Sequence, residues 1–315
     1  MQRVTRLVAA GLAAALALTA CSTDDADLPS VPIETGTNGD TPAPTDAPTT
    51  EVPSGGATPV DPTAPPTDDP ASPAPTETSP PDPDPTPPAA TTPADDNAGV
   101  GVNGRAMLRG DRPVLVIEID VQDGVSVDQA AVDHMVAEVS RYVDKPGGIT
   151  FAGGNTFASD RDAWTTDDLR AAVSQNRSTF TTADQVSVHV LYVAGGHMDG
   201  GEQTSAIGLA YSASTVALFP ERWSGLGGLL GSDRSVERAV LVHEMGHLFG
   251  LVNIGYQSDI DHEDPAHPGH SSSDDSVMFH AIESTLIGQV FQGSPPDRFD
   301  DADAADLAGL RDGRL

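Results

Sequence analysis

The chain of 315 residues holds a single cysteine, Cys21. No disulfide can close within it, so the fold must rest on its core or on bound metal. Positive charge is scarce: 16 Lys and Arg stand against 47 Asp and Glu, a formal net charge of -31. Lysine is nearly absent, and arginine carries what positive charge there is. Such a chain repels nucleic acid and anionic lipid, which excludes both as expected partners, and it suits cations. The apolar run at residues 7–17 is too short to span a bilayer as a permanent helix. No Gly-x-Ser-x-Gly element is present, which disfavours serine-nucleophile chemistry. Gly195-Gly196 and Gly200-Gly201 lack the Gly-x-Gly-x-x-Gly spacing of a nucleotide loop.

What the chain does have begins with an address. Arg3 and Arg6 precede the apolar run, and Leu18-Thr19-Ala20-Cys21 closes it. This pattern resembles a bacterial lipoprotein signal, in which the cysteine is lipidated and becomes the first mature residue. The resemblance implies a signal peptide over residues 1–20, lipidation of Cys21, and a protein held by lipid at the extracytoplasmic face of the cell membrane. An ordinary signal peptide containing a cysteine is the alternative. Residues 21–100 are Pro, Thr, Ala and Asp with almost no large apolar side chain, including Pro80-Pro81-Asp82-Pro83-Asp84-Pro85. Such a segment cannot bury enough surface to offset its ordering entropy. It reads as a disordered tether, able to reach on the order of 200 Å when stretched. One folded domain is expected over residues 101–315, as a monomer.

Within that domain, Val114-Leu115-Val116-Ile117-Glu118-Ile119-Asp120 is apolar and β-branched, so a strand. Val132, Met135, Val136 and Val139 recur at helical period within residues 127–143, before Lys145-Pro146-Gly147-Gly148 ends the pattern. Further strands are expected at 149–151, 185–193 and 206–211. Helices are expected at 166–174, with Thr166 as N-cap, at 234–249 and at 301–310. This order implies an α/β (α+β) fold, a mixed β-sheet packed with helices. His189 lies in an apolar strand and reads as a hydrogen-bonded core histidine.

The chemistry sits on the 234–249 helix. His243-Glu244-Met245-Gly246-His247 places two imidazoles four apart, on one helical face, where both can point at a single ion. Glu244 then reaches the metal's water rather than the metal, the arrangement of a zinc site with a built-in general base. Zinc polarises a carbonyl and lowers the pKa of its water to about 7. Val240-Leu241-Val242 ahead of the motif suits a buried helix, and Gly250 after it suits a helix stop.

The string from His243 to Gly250 resembles the metzincin clan of zinc peptidases. That resemblance implies a zincin-like fold, protein or peptide substrates, and a third histidine six positions after the second. Asn253 stands there instead, and an amide oxygen is a poor zinc ligand beside imidazole. His262, His267 and His270 follow closely, and His270 heads the candidates for third metal ligand. The same acidic, histidine-rich loop could instead bind Ca2+, hold a second metal, or simply be solvated. Ser276-Val277-Met278 resembles the clan's Met-turn, and His280 beyond it is a candidate for stabilising an oxyanion. Gly208-Leu209-Ala210-Tyr211 resembles the edge strand on which extended substrate would pair.

The expected function is that of a membrane-anchored zinc metalloendopeptidase, with His243, His247 and His270 on one zinc ion, and Glu244 and His280 catalytic. Two alternatives remain: a cell-surface binding module with a degenerate zinc site, suggested by Asn253, and a zinc amidase acting on cell-wall peptides, suggested by the tether.

Overall fold

A computed structural model describes residues 95–228 and 231–315. The signal peptide, Cys21 and most of the tether therefore lie outside the described residues. In chain order the elements are α1 (Gly104–Leu108), β1 (Val114–Gln122), α2 (Gln129–Val139), β2 (Ile149–Phe151), β3 (Thr156–Phe157), β4 (Ala163–Trp164), α3 (Thr166–Asn176), β5 (Gln185–Tyr192), β6 (Gly196–Asp199), β7 (Glu202–Gln203), β8 (Gly208–Ser212), β9 (Thr215–Leu218), α4 (Pro220–Trp223), α5 (Asp233–Phe249), α6 (Ile287–Val290) and α7 (Asp301–Asp312). Among the described residues, no helix is long and apolar enough to cross a membrane.

The main sheet runs in the order β2-β1-β5-β9-β8, with β3 also on β1. Every pairing is parallel except β8 on β9, so the sheet is mixed and β8 forms an edge. Alternation along β5 divides its side chains between two cores. Val186, Val188, Val190 and Tyr192 face one that includes Val132 and Met135 of α2 and Val236, Val240 and Leu248 of α5. Leu191 faces a smaller core with Trp164 and Leu169, beneath α3. The sheet is thus covered by helices on both faces, the α/β arrangement expected from the element order.

The polar residues of the second face are used structurally. His189 Nε2 meets Asp120 Oδ2 at 2.8 Å, with both side chains fully buried, as a core histidine should. Glu118 accepts from the amides of Ser178 and Thr179, which ties β1 to the end of α3.

Several local details differ from expectation, among them short elements such as α1, β3, β4, β6 and β7 that were not anticipated. Thr165, not Thr166, caps α3: its hydroxyl accepts from the Asp168 amide, and the Asp168 carboxylate accepts from the Thr165 amide. A reciprocal capping box satisfies two amides at once, which one threonine a position later would not. The strand β9 was not anticipated, because four residues give too little pattern to read. The chain is also bonded to the domain from before residue 101: Asp96 accepts from the Thr181 amide and hydroxyl, and the Ala98 carbonyl from the Ala213 amide.

Helix α5 positions the site. Ser232 caps it by accepting from the Ser235 amide, and Gly250 ends it in the left-handed region at φ 84°. Every residue from Ala239 to Phe249 is buried, so its histidines project inward rather than into solvent.

Candidate metal centre

His243 and His247 lie one helical turn apart, with their Nε2 atoms 2.9 Å from each other. His243 is fully buried, and its Nδ1 lies 2.6 Å from the Val277 carbonyl oxygen. A carbonyl only accepts, so Nδ1 carries the proton and the Nε2 lone pair points into the cluster. Burial, then the neighbouring His247, push the His243 pKa down to about 4, which keeps this imidazole neutral.

The third histidine arrives from the loop after α5, which bends through left-handed residues at Val252 (φ 52°) and Asn253 (φ 66°). Asn tolerates that conformation, which is rare for a β-branched residue such as the fully buried Val252. The Asn253 side chain does not join the cluster. It donates to Glu263 Oε2 at 2.8 Å and accepts from the Ser258 amide at 2.7 Å. The other oxygen of Glu263 accepts from the Gly269 amide at 3.0 Å, and the Asp264 amide donates to the His270 carbonyl. Asn253 and Glu263 thus brace the loop that presents His270. The ring of His270 stands 5.3 Å from that of His243 and 4.9 Å from that of His247.

Of the three loop histidines, only His270 enters the cluster. His262 turns toward α7, where its Nε2 meets Asp306 Oδ2 at 3.0 Å, and this bond, against burial, raises its pKa. His267 meets Asp264 at 2.6 Å and stacks on His280, ring centroids 3.6 Å apart and planes at 4°. Asp264, His267 and His280 form a second group with metal-ligand chemistry. In that stack the ring planes are parallel, so the two in-plane lone pairs do not converge on one point.

Met278 packs against α5 at Gly246. A Cβ on Gly246 would overlap Met278 Sδ, so glycine permits the helix to seat on the thioether. The turn is fixed from both sides: Ser276 Oγ donates to Asp303 Oδ2 of α7, and the Ser271 amide, next to His270, donates to the Met278 carbonyl.

A fourth side chain, Glu283, completes the group His243, His247, His270, Glu283. Sequence reasoning missed it, because a lone acid in a loop bears no fixed spacing to the helix. Its one local signal is a position shortly after Ser276-Val277-Met278. Burial would raise its carboxyl, but the three neighbouring histidines outweigh this and hold it well below the usual range.

Glu244 is fully buried beside the cluster, and neither of its oxygens has a partner in hydrogen-bonding geometry. Burial, then the charge of Glu283, push its carboxyl well up, with the Ala210 amide opposing. Gly208 of β8 makes room for it, since a Cβ there would overlap Glu244 Oε1. A cavity of about 570 Å³ at the N-terminal end of α5 includes Asp128, Trp223 and Glu237 but none of these site residues.

The donor set suits zinc. Three imidazoles and a carboxylate converge, and His243 is held in the metal-binding tautomer. Glu263 should matter through the loop alone: Glu263→Ala is expected to lower zinc affinity about 10–100-fold, the usual cost of removing a group that orients a ligand. Chelator competition measures this, with unchanged circular dichroism showing an intact fold.

The chain matches no known protein-family model and no curated protein. Several solved structures are similar in outline. An archaemetzincin from Methanopyrus kandleri is 17% identical over 64% of this chain and 97% of that one, with a TM-score of 0.42. An archaemetzincin from Archaeoglobus fulgidus, complexed with malonate, is 14% identical over 61% and 99%, at 0.37. Metalloproteinase-II from Bacteroides fragilis is 13% identical over 64% and 54%, at 0.38.

Proposed function

We propose that the domain is a zinc metallopeptidase in which His243, His247 and His270 hold the metal and Glu244 is the general base. The observation that carries this is the convergence of three imidazoles beside a buried carboxyl with no hydrogen-bond partner. Zinc bound there would supply Lewis acidity toward a carbonyl oxygen and toward water. Glu244 takes the proton from the attacking water and returns it to the leaving amine. The edge strand β8, which Gly208 allows to run close to Glu244, is the proposed pairing partner of an extended peptide. His280, with its Nδ1 buried and unpartnered, is proposed to assist at the oxyanion.

The test is hydrolysis of casein-like protein and of peptidoglycan by the full chain, before and after chelation and zinc return. Zinc-restored cleavage of protein supports the peptidase; cleavage of wall peptides alone turns the reading to an amidase. Binding of one zinc without cleavage of either would leave a zinc-binding surface module. Cys21 is proposed as a lipid attachment point outside the cytoplasm; metabolic labelling with a fatty acid, absent in Cys21→Ala, checks it.

A further inference from the structure

The fourth side chain of the cluster has a specific place. Four donors about 2.1 Å from one ion, at the corners of a tetrahedron, stand roughly 3.4 Å from each other. Glu283 Oε2 is 3.6 Å from both His243 Nε2 and His247 Nε2, and Oε1 is 3.2 Å from His270 Nε2. The carboxylate therefore stands near ligand-to-ligand spacing from all three imidazoles, and a catalytic site keeps its fourth position for water.

The backbone carrying Glu283 is also tied to the strand that would dock substrate. The Glu283 carbonyl accepts from the Ile207 amide at 2.8 Å, and the Thr285 amide donates to the Ser205 carbonyl at 2.9 Å. Ser284 forms an antiparallel bridge with Ala206. Residues 283–285 thus lie antiparallel beside residues 205–207, just ahead of β8, on the approach to Gly208 and Glu244.

We infer that Glu283 is a fourth zinc ligand that closes the resting site and must be displaced before water and peptide can enter. This rests on the proposed placing of zinc on the three histidines. A permanently closed shell would mark a structural site, but two observations point to displacement. Glu283 is the most accessible of the four: its side chain is 29% exposed, against 0% for His243, 8% for His247 and 13% for His270. Glu244 beside it is buried with unpartnered oxygens, a poor arrangement for a structural site and a suitable one for a base awaiting water.

The experiment uses the full chain and its Glu283→Ala and Glu283→Gln variants, loaded with Zn2+ for affinity and with Co2+ for spectroscopy. The wild type should show the absorption of a four-coordinate Co2+ centre that gains nothing from exogenous water. Both variants should still bind one metal, with zinc affinity lowered at least about tenfold and with an exchangeable water detected by relaxation of solvent protons. Glu283→Gln preserves shape, so it reports on coordination even if Glu283→Ala perturbs the 283–285 segment. A wild-type centre that already holds an exchangeable water, with affinity unchanged in both variants, overturns the inference. A wild type whose metal binding is indifferent to His270→Ala overturns the underlying reading as well, and the two failures are thereby told apart.

Discussion

Glu244→Gln, in the full chain loaded with zinc, is expected to lose about 10³-fold in kcat on a peptide substrate while binding one zinc as tightly as the wild type. The amide matches the carboxyl in shape and fits the space left by Gly208, so packing against Val240 and β8 persists. What it cannot do is accept a proton. The effect should fall on kcat and leave KM nearly unchanged, because Glu244 serves the transition state rather than binding peptide. Steady-state kinetics with parallel metal analysis checks this. Retained turnover would place the base elsewhere; lost zinc would mean that Glu244 is a ligand. The native carboxyl is held with its pKa raised by burial and by the charge of Glu283.

The parts of the site carried by α5 were legible because the helix converts a spacing into a direction. His243 and His247 four apart must share a face, and the buried run around them fixes which face. The strands β1 and β5 were legible from local pattern too, β1 as a continuous apolar, β-branched run and β5 as an alternation that turns apolar. His270 headed its candidates without a periodic argument, and the structure places it in the cluster through contacts no local pattern encodes. Asn253 turns its amide to Glu263 and Ser258 instead of toward the metal cluster, and Glu263 holds Gly269. Glu283 was illegible altogether. Its place follows from the pairing of residues 283–285 with 205–208, a contact between distant parts of the chain. The missed β9 and the one-residue error at Thr165 are failures of a smaller kind: four residues carry little periodicity, and adjacent threonines give the same capping signal.

His270→Ala should produce the second large effect, a loss of zinc affinity exceeding about 100-fold, or more than about 2.7 kcal/mol of binding free energy. Two histidines and a carboxylate would remain, and a carboxylate oxygen is a weaker partner for zinc than neutral imidazole when the site is already acidic. The fold should survive, because His270 lies in a loop and its ring nitrogens have no partner in hydrogen-bonding geometry. Competition with a chelator of known affinity measures the loss, and near-ultraviolet circular dichroism shows whether the core is intact. The sharper test is whether a histidine at the position expected from the motif can replace it. Asn253→His in the His270→Ala background should fail to restore zinc. The Asn253 side chain is directed at Glu263 and Ser258, and its backbone is held at φ 66°, so an imidazole grown from that Cα starts out pointing away from His243. In the wild-type background Asn253→His should instead weaken binding, because it breaks the brace through Glu263 that presents His270. Restoration of tight binding by Asn253→His would show that the loop can revert to the arrangement the motif suggests. The third ligand would then be set by residue type at position 253 rather than by the path of the 253–270 loop.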